Sequence, residues 1–203
     1  WGSMPKGLTK PKEAPEDPTV HAGMKRGEIT DDTMAMLAIV SSVIKCGDLT
    51  VEGVADGLVN WIEETDGFNL PWVGPSTQRA IRALMDGGDP RVTGSYGTTN
   101  GSSMRVAPIA FLGYPELNRV AEYAIVSALP THGSSTATSG AASIACATAC
   151  ASNPGSGLED IAKAAMKGAD LGEEAGVRYY QTPSISRRIE WAVDLVSNDK
   201  PVE

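Results

Sequence analysis

Between Thr131 and Ala151 the chain reads THGSSTATSGAASIACATACA. A run built so largely of Ala, Ser, Thr, Gly and Cys has little bulk for a sheet face. It suits a helix that neighbouring backbones approach closely. The Thr-His-Gly stretch reads as a turn that opens this helix. Aromatic residues make up 5% of the chain, which also favours packed helices over a sandwich.

The remaining periodicity agrees. Thr30 stands as an N-cap before Asp31 and Asp32, and Met34, Leu37 and Ala38 with Met36, Ile39, Val40 and Val43 give a wide apolar surface. Such a surface predicts a central, buried helix, stopped at Gly47. Thr50 caps a second helix carrying Val51, Val54, Ala55, Leu58, Val59 and Ile62. Ser76 starts a short third, ended by Gly87-Gly88. Helices are predicted around Leu117–Ala128 and Leu158–Met166, and from Thr182-Pro183 onward, where proline suits a first turn. No segment alternates with a period of two, and no tandem repeat is present. The expected fold is all-α and multi-helical.

The chain has 203 residues, enough for one sizeable core. Residues 1–28 carry Pro5, Pro11, Pro15 and Pro18 and read as a loop-rich entry segment lying over the body. The expectation is a single domain over 1–203. It is an incomplete one, because the chain opens at Trp1 and its last helical run ends without a closing element.

Lys and Arg total 17 against 25 Asp and Glu, a net charge of −8. A chain this acidic gains little from releasing counterions at a phosphate backbone, so general nucleic-acid binding is not expected. No apolar run reaches the roughly 18 residues a membrane span needs. Cys46, Cys146 and Cys150 form no CxxC. Cys146 and Cys150 share a helical face as small buried residues, which fits a reducing cytoplasm.

Three places carry possible chemistry. Thr30, Asp31 and Asp32 are hard oxygen donors suited to Mg²⁺ or Mn²⁺. Ser/Thr followed by acids is also ordinary helix-capping chemistry, and spacing leaves both open. The segment SYGTTNGSSMR, Ser95–Arg105, offers glycine-rich turns whose N–H groups can cradle phosphate, yet it lacks GxGxxG and a Walker lysine. Arg105 there is either an anion partner or a buried ion-pair residue. His132 has no Ser/Asp order of a triad around it, and Trp72 reads as a core anchor.

Taken in order, TDDTM, GPST, NGSSMRVAPIAFLG and THGSSTATSGAA resemble the ADP-ribosylglycohydrolase family over roughly residues 1–195. Each motif alone is weak; the ordered set is specific. The resemblance implies an all-α fold with a pair of Mg²⁺ or Mn²⁺ ions in a central cleft. It implies hydrolysis at the anomeric carbon of ADP-ribose, attached to a protein or a small conjugate. By resemblance Thr30, Asp31 and Asp32 are metal ligands, with both aspartates catalytic. Ser95, Gly97, Thr98, Asn100, Gly101 and Ser102 line the diphosphate and ribose site, and His132 sits at the substrate pocket. The chain departs from the family in three places. Lys6 stands about where a glutamate is usual, with Glu13, Glu16 or Glu28 as substitutes. Thr99 replaces a glycine before Asn100. The late D-x-D-T motif has no counterpart. Lys6 and the absent late acids favour an alternative, a non-catalytic relative that binds or scaffolds; a second alternative is a hydrolase of another N-ribosyl compound.

Overall fold

Glycine and hydroxyl residues decide how the helices meet. In a computed structural model residues 24–197 are described, and among them the regular structure is helical, with no strand. The helices are α1 (Asp31–Cys46), α2 (Val51–Glu64), α3 (Pro75–Met85), α4 (Ala110–Gly113), α5 (Leu117–His132), α6 (Ser135–Ala151), α7 (Leu158–Glu174) and α8 (Ile185–Ser197). The all-α expectation holds. A lone parallel bridge joins Ser134 and Arg178.

The helix α6 and its neighbour α7 make the most extensive helix pairing. The reason is the small-residue run. Gly168 lies against the Ala142 carbonyl and Gly172 against the Thr138 carbonyl, so closely that neither site has room for a Cβ. At that distance side-chain hydroxyls reach across. Thr138 Oγ1 donates to the Gly172 carbonyl at 2.6 Å, and Ser139 Oγ to the Ala169 carbonyl at 2.8 Å. Both hydroxyls are buried, so a missing partner would cost about 1–3 kcal/mol each.

Larger apolar side chains fill the rest of the core. Ile39, Leu58, Ile62, Ile81, Ile109 and Val120 are fully buried and in one cluster. Trp72 packs on it, as expected of a core anchor. Cys146 is buried and Cys150 partly so, and both are free thiols.

Several boundaries follow the local signals. Thr50 Oγ1 accepts from the Gly53 N–H at 3.0 Å, and Gly47 ends α1 with φ 80°. Others moved. The last helix begins at Ile185, because Ser184 rather than Thr182 takes the cap: its Oγ accepts from the Arg187 N–H at 3.4 Å. The helix α5 runs past Ala128 through Pro130 to His132, so His132 closes one helix instead of opening the next. The preceding segment bonds carbonyls near this end, with Thr93 Oγ1 donating to Pro130 and Arg105 Nη2 to Ser127.

The expectation of a central, buried α1 is corrected. Only Ala35 and Ile39 are buried in it, while Leu37 and Ile44 are half or more exposed. One stripe packs on α2 and on the 3₁₀ turn Ser103–Arg105. Beside that stripe, α1 and α2 together line an open groove of about 410 Å³. A wide apolar surface marks what water disfavours; it does not say on which sides neighbours stand.

Candidate active site

At the start of α1, Thr30 has the extended backbone of an N-cap, but its hydroxyl does not cap the helix. Thr30 Oγ1 donates instead to Asp32 Oδ2 at 3.0 Å. Hydroxyl and carboxylate are thus drawn together, and Asp31 adds a second acid in the same first turn, where the helix dipole favours negative charge. All three are partly buried. Their oxygens fit a hard divalent cation by type. Among the described residues no group of three or more His, Cys, Asp or Glu is placed to hold a metal ion. Lys6, Glu13 and Glu16 lie outside the described residues. Glu28 is exposed and accepts from the Lys25 N–H at 2.8 Å, within its own turn.

The other candidate segment is the loop before residue 103. It is pressed onto the end of α5 by glycines. Gly94 packs against the Leu129 carbonyl and the His132 backbone, and Gly97 against the Thr131 carbonyl. Hydrogen bonds lock the approach. The Gly133 N–H donates to the Gly94 carbonyl at 2.8 Å, and Ser134 Oγ to the Gly97 carbonyl at 2.6 Å. Gly101 lies flat on the His132 ring; a Cβ there would fall 2.5 Å from Cε1 and 2.6 Å from Nε2. Ser95 is half-buried, Thr98 and Asn100 are exposed, and the Asn100 carbonyl accepts from Ser103 and Met104 N–H groups at 2.9 and 3.1 Å. Ser102 is fully buried, and its hydroxyl is committed to the Ala137 carbonyl at 3.2 Å.

His132 is buried, with Nδ1 2.9 Å from Thr131 Oγ1 and Nε2 3.0 Å from Thr99 Oγ1. Burial, and then the nearby Arg105 charge, pushes its pKa down to about 3, so the ring is neutral at physiological pH. Among the described residues Arg105 has no carboxylate among its hydrogen-bond partners. Its Nη2 donates to the Ser127 carbonyl and to Thr131 Oγ1, each at 2.8 Å, while Nε and Nη1 find no hydrogen-bond partner among the described residues. Burial lowers this guanidinium to about 10. Of the two readings of Arg105, the buried ion-pair role gives way to carbonyl and hydroxyl bonding.

The structure brings the loop and His132 into direct contact, and Thr30 with Asp32. The two groups are linked through the turn Ser103–Arg105, which packs on both α1 and α6. The motifs TDDTM, NGSSMRVAPIAFLG and THGSSTATSGAA thus lie on elements that pack together. The family model for ADP-ribosylglycohydrolase matches residues 3–203. The chain belongs to the ADP-ribosylglycohydrolase family. Among curated relatives, an uncharacterized protein of Archaeoglobus fulgidus is 37% identical over 133 residues, 66% of this chain and 43% of the relative. The uncharacterized protein YegU of Escherichia coli K12 is 26% identical over 186 residues, 91% of this chain and 55% of the relative. The chain spans about half the length of these relatives. No helix among the described residues is long and apolar enough to cross a membrane.

Several contacts of this region were not foreseen from the sequence, which marked Thr99 only as a departure from the family pattern. Thr99 and Thr131 hold the histidine from both sides. On the outer rim Arg178 stacks on Tyr96 at 4.4 Å and on Tyr180 at 5.5 Å from the ring centres. Residues 177–180 reach that place through backbone bonds: Val177 N–H to the Gly133 carbonyl at 2.8 Å, and Ser135 N–H to the Arg178 carbonyl at 2.9 Å. No local pattern announces a pairing between such distant segments.

Proposed function

We propose that this chain carries part of the catalytic cleft of a Mg²⁺- or Mn²⁺-dependent hydrolase that cleaves the glycosidic bond at the anomeric carbon of ADP-ribose. The substrate is an ADP-ribosylated protein or a small ADP-ribosyl conjugate. Family membership supports glycosidic hydrolysis. The observation that carries the metal-dependent reading is the Thr30 hydroxyl, which turns from capping α1 to bond Asp32. A bare helix start would use that hydroxyl on its own N–H groups.

Thr30, Asp31 and Asp32 would hold the cation, which when bound supplies Lewis-acid polarisation and a fixed positive charge. Departure of the leaving group builds positive charge at the anomeric carbon. The Asp31 and Asp32 carboxylates stabilise that charge and bind sugar hydroxyls. The loop Ser95–Ser102, fixed to α5 through Gly97 and Gly101, offers a rigid surface to the diphosphate. Exposed Thr98 and Asn100 face a ligand from that loop. Neutral His132 supports the loop and adds no charge that would repel an oxocarbenium-like centre.

The test is release of ADP-ribose from a labelled protein substrate by the whole protein, with and without Mn²⁺. Asp31→Asn and Asp32→Asn should each abolish metal-dependent release while leaving the melting temperature within a few degrees. Full activity in both variants rejects the role assigned to the two aspartates, and no release by the wild-type protein moves the reading to a binding protein of the same fold.

A further inference from the structure

Four side chains hydrogen-bond in a row from the core to the loop surface. Arg105 Nη2 bonds Thr131 Oγ1 at 2.8 Å, Thr131 Oγ1 lies 2.9 Å from His132 Nδ1, and His132 Nε2 lies 3.0 Å from Thr99 Oγ1. Arg105, Thr131 and His132 are buried; Thr99 is exposed.

The row has a direction. A guanidinium only donates, so Thr131 Oγ1 accepts from Arg105. The hydroxyl then has one proton to give, and His132 Nδ1 is its partner among the described residues. In the reverse arrangement Nδ1–H would donate to an oxygen already accepting from Arg105. The Thr131 proton would be left buried and unpaired, at a cost of about 1–3 kcal/mol. The ring is neutral, so an Nδ1 that accepts leaves the proton on Nε2. Nε2–H then donates to Thr99 Oγ1. The Thr99 proton has no place on the inward side and turns outward.

We propose that the Arg105–Thr131–His132 row fixes His132 as its Nε2–H tautomer and so presents the Thr99 hydroxyl as an outward hydrogen-bond donor to a phosphate oxygen of an ADP-ribosyl ligand. This rests on the reading of the cleft as an ADP-ribose site and adds a contact to it. Thr99 touches the ligand; Arg105, Thr131 and His132 are positioning residues. The chemistry is complementary, because phosphate oxygens only accept and a donor held from behind loses little freedom on binding. The footing is rigid, since Gly97 and Gly101 seat the loop on either side of Thr99. Arg178, stacked on Tyr96 of the same loop, brings positive charge to the rim.

Two measurements test this, the first on the 203-residue chain and the second on the whole protein. The first is the imidazole nitrogen spectrum by long-range ¹H–¹⁵N correlation. Only His21 and His132 contribute, and His132→Gln assigns them. The expected pattern for His132 is Nε2–H, persisting from about pH 5 to about pH 8, and lost to a tautomer mixture in Thr131→Val. An Nδ1–H ring or an imidazolium in the wild-type chain overturns the row. The second is calorimetric titration with ADP-ribose in the presence of Mn²⁺. Thr99→Val should bind about tenfold more weakly, while Thr99→Ser stays within about threefold of wild type. Equal or tighter binding by Thr99→Val overturns the donor role. If ADP-ribose does not bind the whole wild-type protein, the ligand reading falls and the donor role with it. The tautomer spectrum does not depend on that ligand and decides the row separately.

Discussion

Gly101→Ala is the sharpest structural test of how the loop is seated. The added methyl would lie 2.5 Å from His132 Cε1 and 2.6 Å from Nε2, roughly an ångström inside ordinary contact. The ring has nowhere to go. It is buried, and its nitrogens are held by Thr131 and Thr99. Either the loop lifts from α5 or the imidazole leaves its bonds. Overpacking of this kind costs about 1–3 kcal/mol, and losing the Thr99 bond adds about 1 kcal/mol. A total near 3 kcal/mol lowers the melting temperature of a chain this size by about 6–12 °C. Gly155→Ala is the control, since a Cβ there meets only Asn153 Oδ1 at 3.7 Å, an ordinary contact. Differential scanning calorimetry on both variants settles the matter. Should Gly101→Ala melt with the control, the loop is not packed on His132 as described.

Three further outcomes follow from the same structure. The neutral His132 has its pKa lowered below that of the unfolded chain, so its stabilising contribution is complete above about pH 6.5 and is lost as the pH falls toward 3. Urea unfolding between pH 6.5 and pH 5, above most carboxylate titration, should show a loss of about 2 kcal/mol that His132→Gln removes; parallel profiles for the two proteins would contradict the burial of a neutral ring. Gly172→Ala places a methyl against the Thr138 carbonyl and Ser139 Cα, which are backbone atoms of α6. It should cost about 3 kcal/mol or more and weaken amide-exchange protection in both α6 and α7; unaltered protection there would refute the tight pairing. Exposed Cys46 should alkylate first under native conditions, while burial, which pushes the Cys146 thiol up to about 11, keeps that residue unmodified until the chain unfolds. Peptide mapping by mass spectrometry distinguishes them, and early labelling of Cys146 would count against the α6 core.

Much of the helical order was legible because its causes are local. Val51, Val54, Ala55, Leu58 and Ile62 recur at helical spacing, and Thr50 and Gly47 act on their own neighbours. The Ala-Ser-Gly run of α6 announced close packing through side-chain size alone. Two local signals misled for instructive reasons. Thr30 has the sequence of a cap, but Asp32 competes for its hydroxyl and wins it. Ser184 displaced Thr182 as the cap of α8, since either hydroxyl suits an N-cap by type.

The chain by itself determined the helical class, the helices in order, and the set of motifs that marks the family. These depend on residues a few positions apart, whose geometry the backbone fixes. Only the tertiary structure decided that α1 is half-exposed, that Arg105 bonds a backbone carbonyl and a hydroxyl, and that Thr99, Thr131 and His132 stand in one hydrogen-bonded row. Those facts depend on which distant segment fills a given space, and the glycine contacts that bring the loop onto α5 have no signature until both partners are in place.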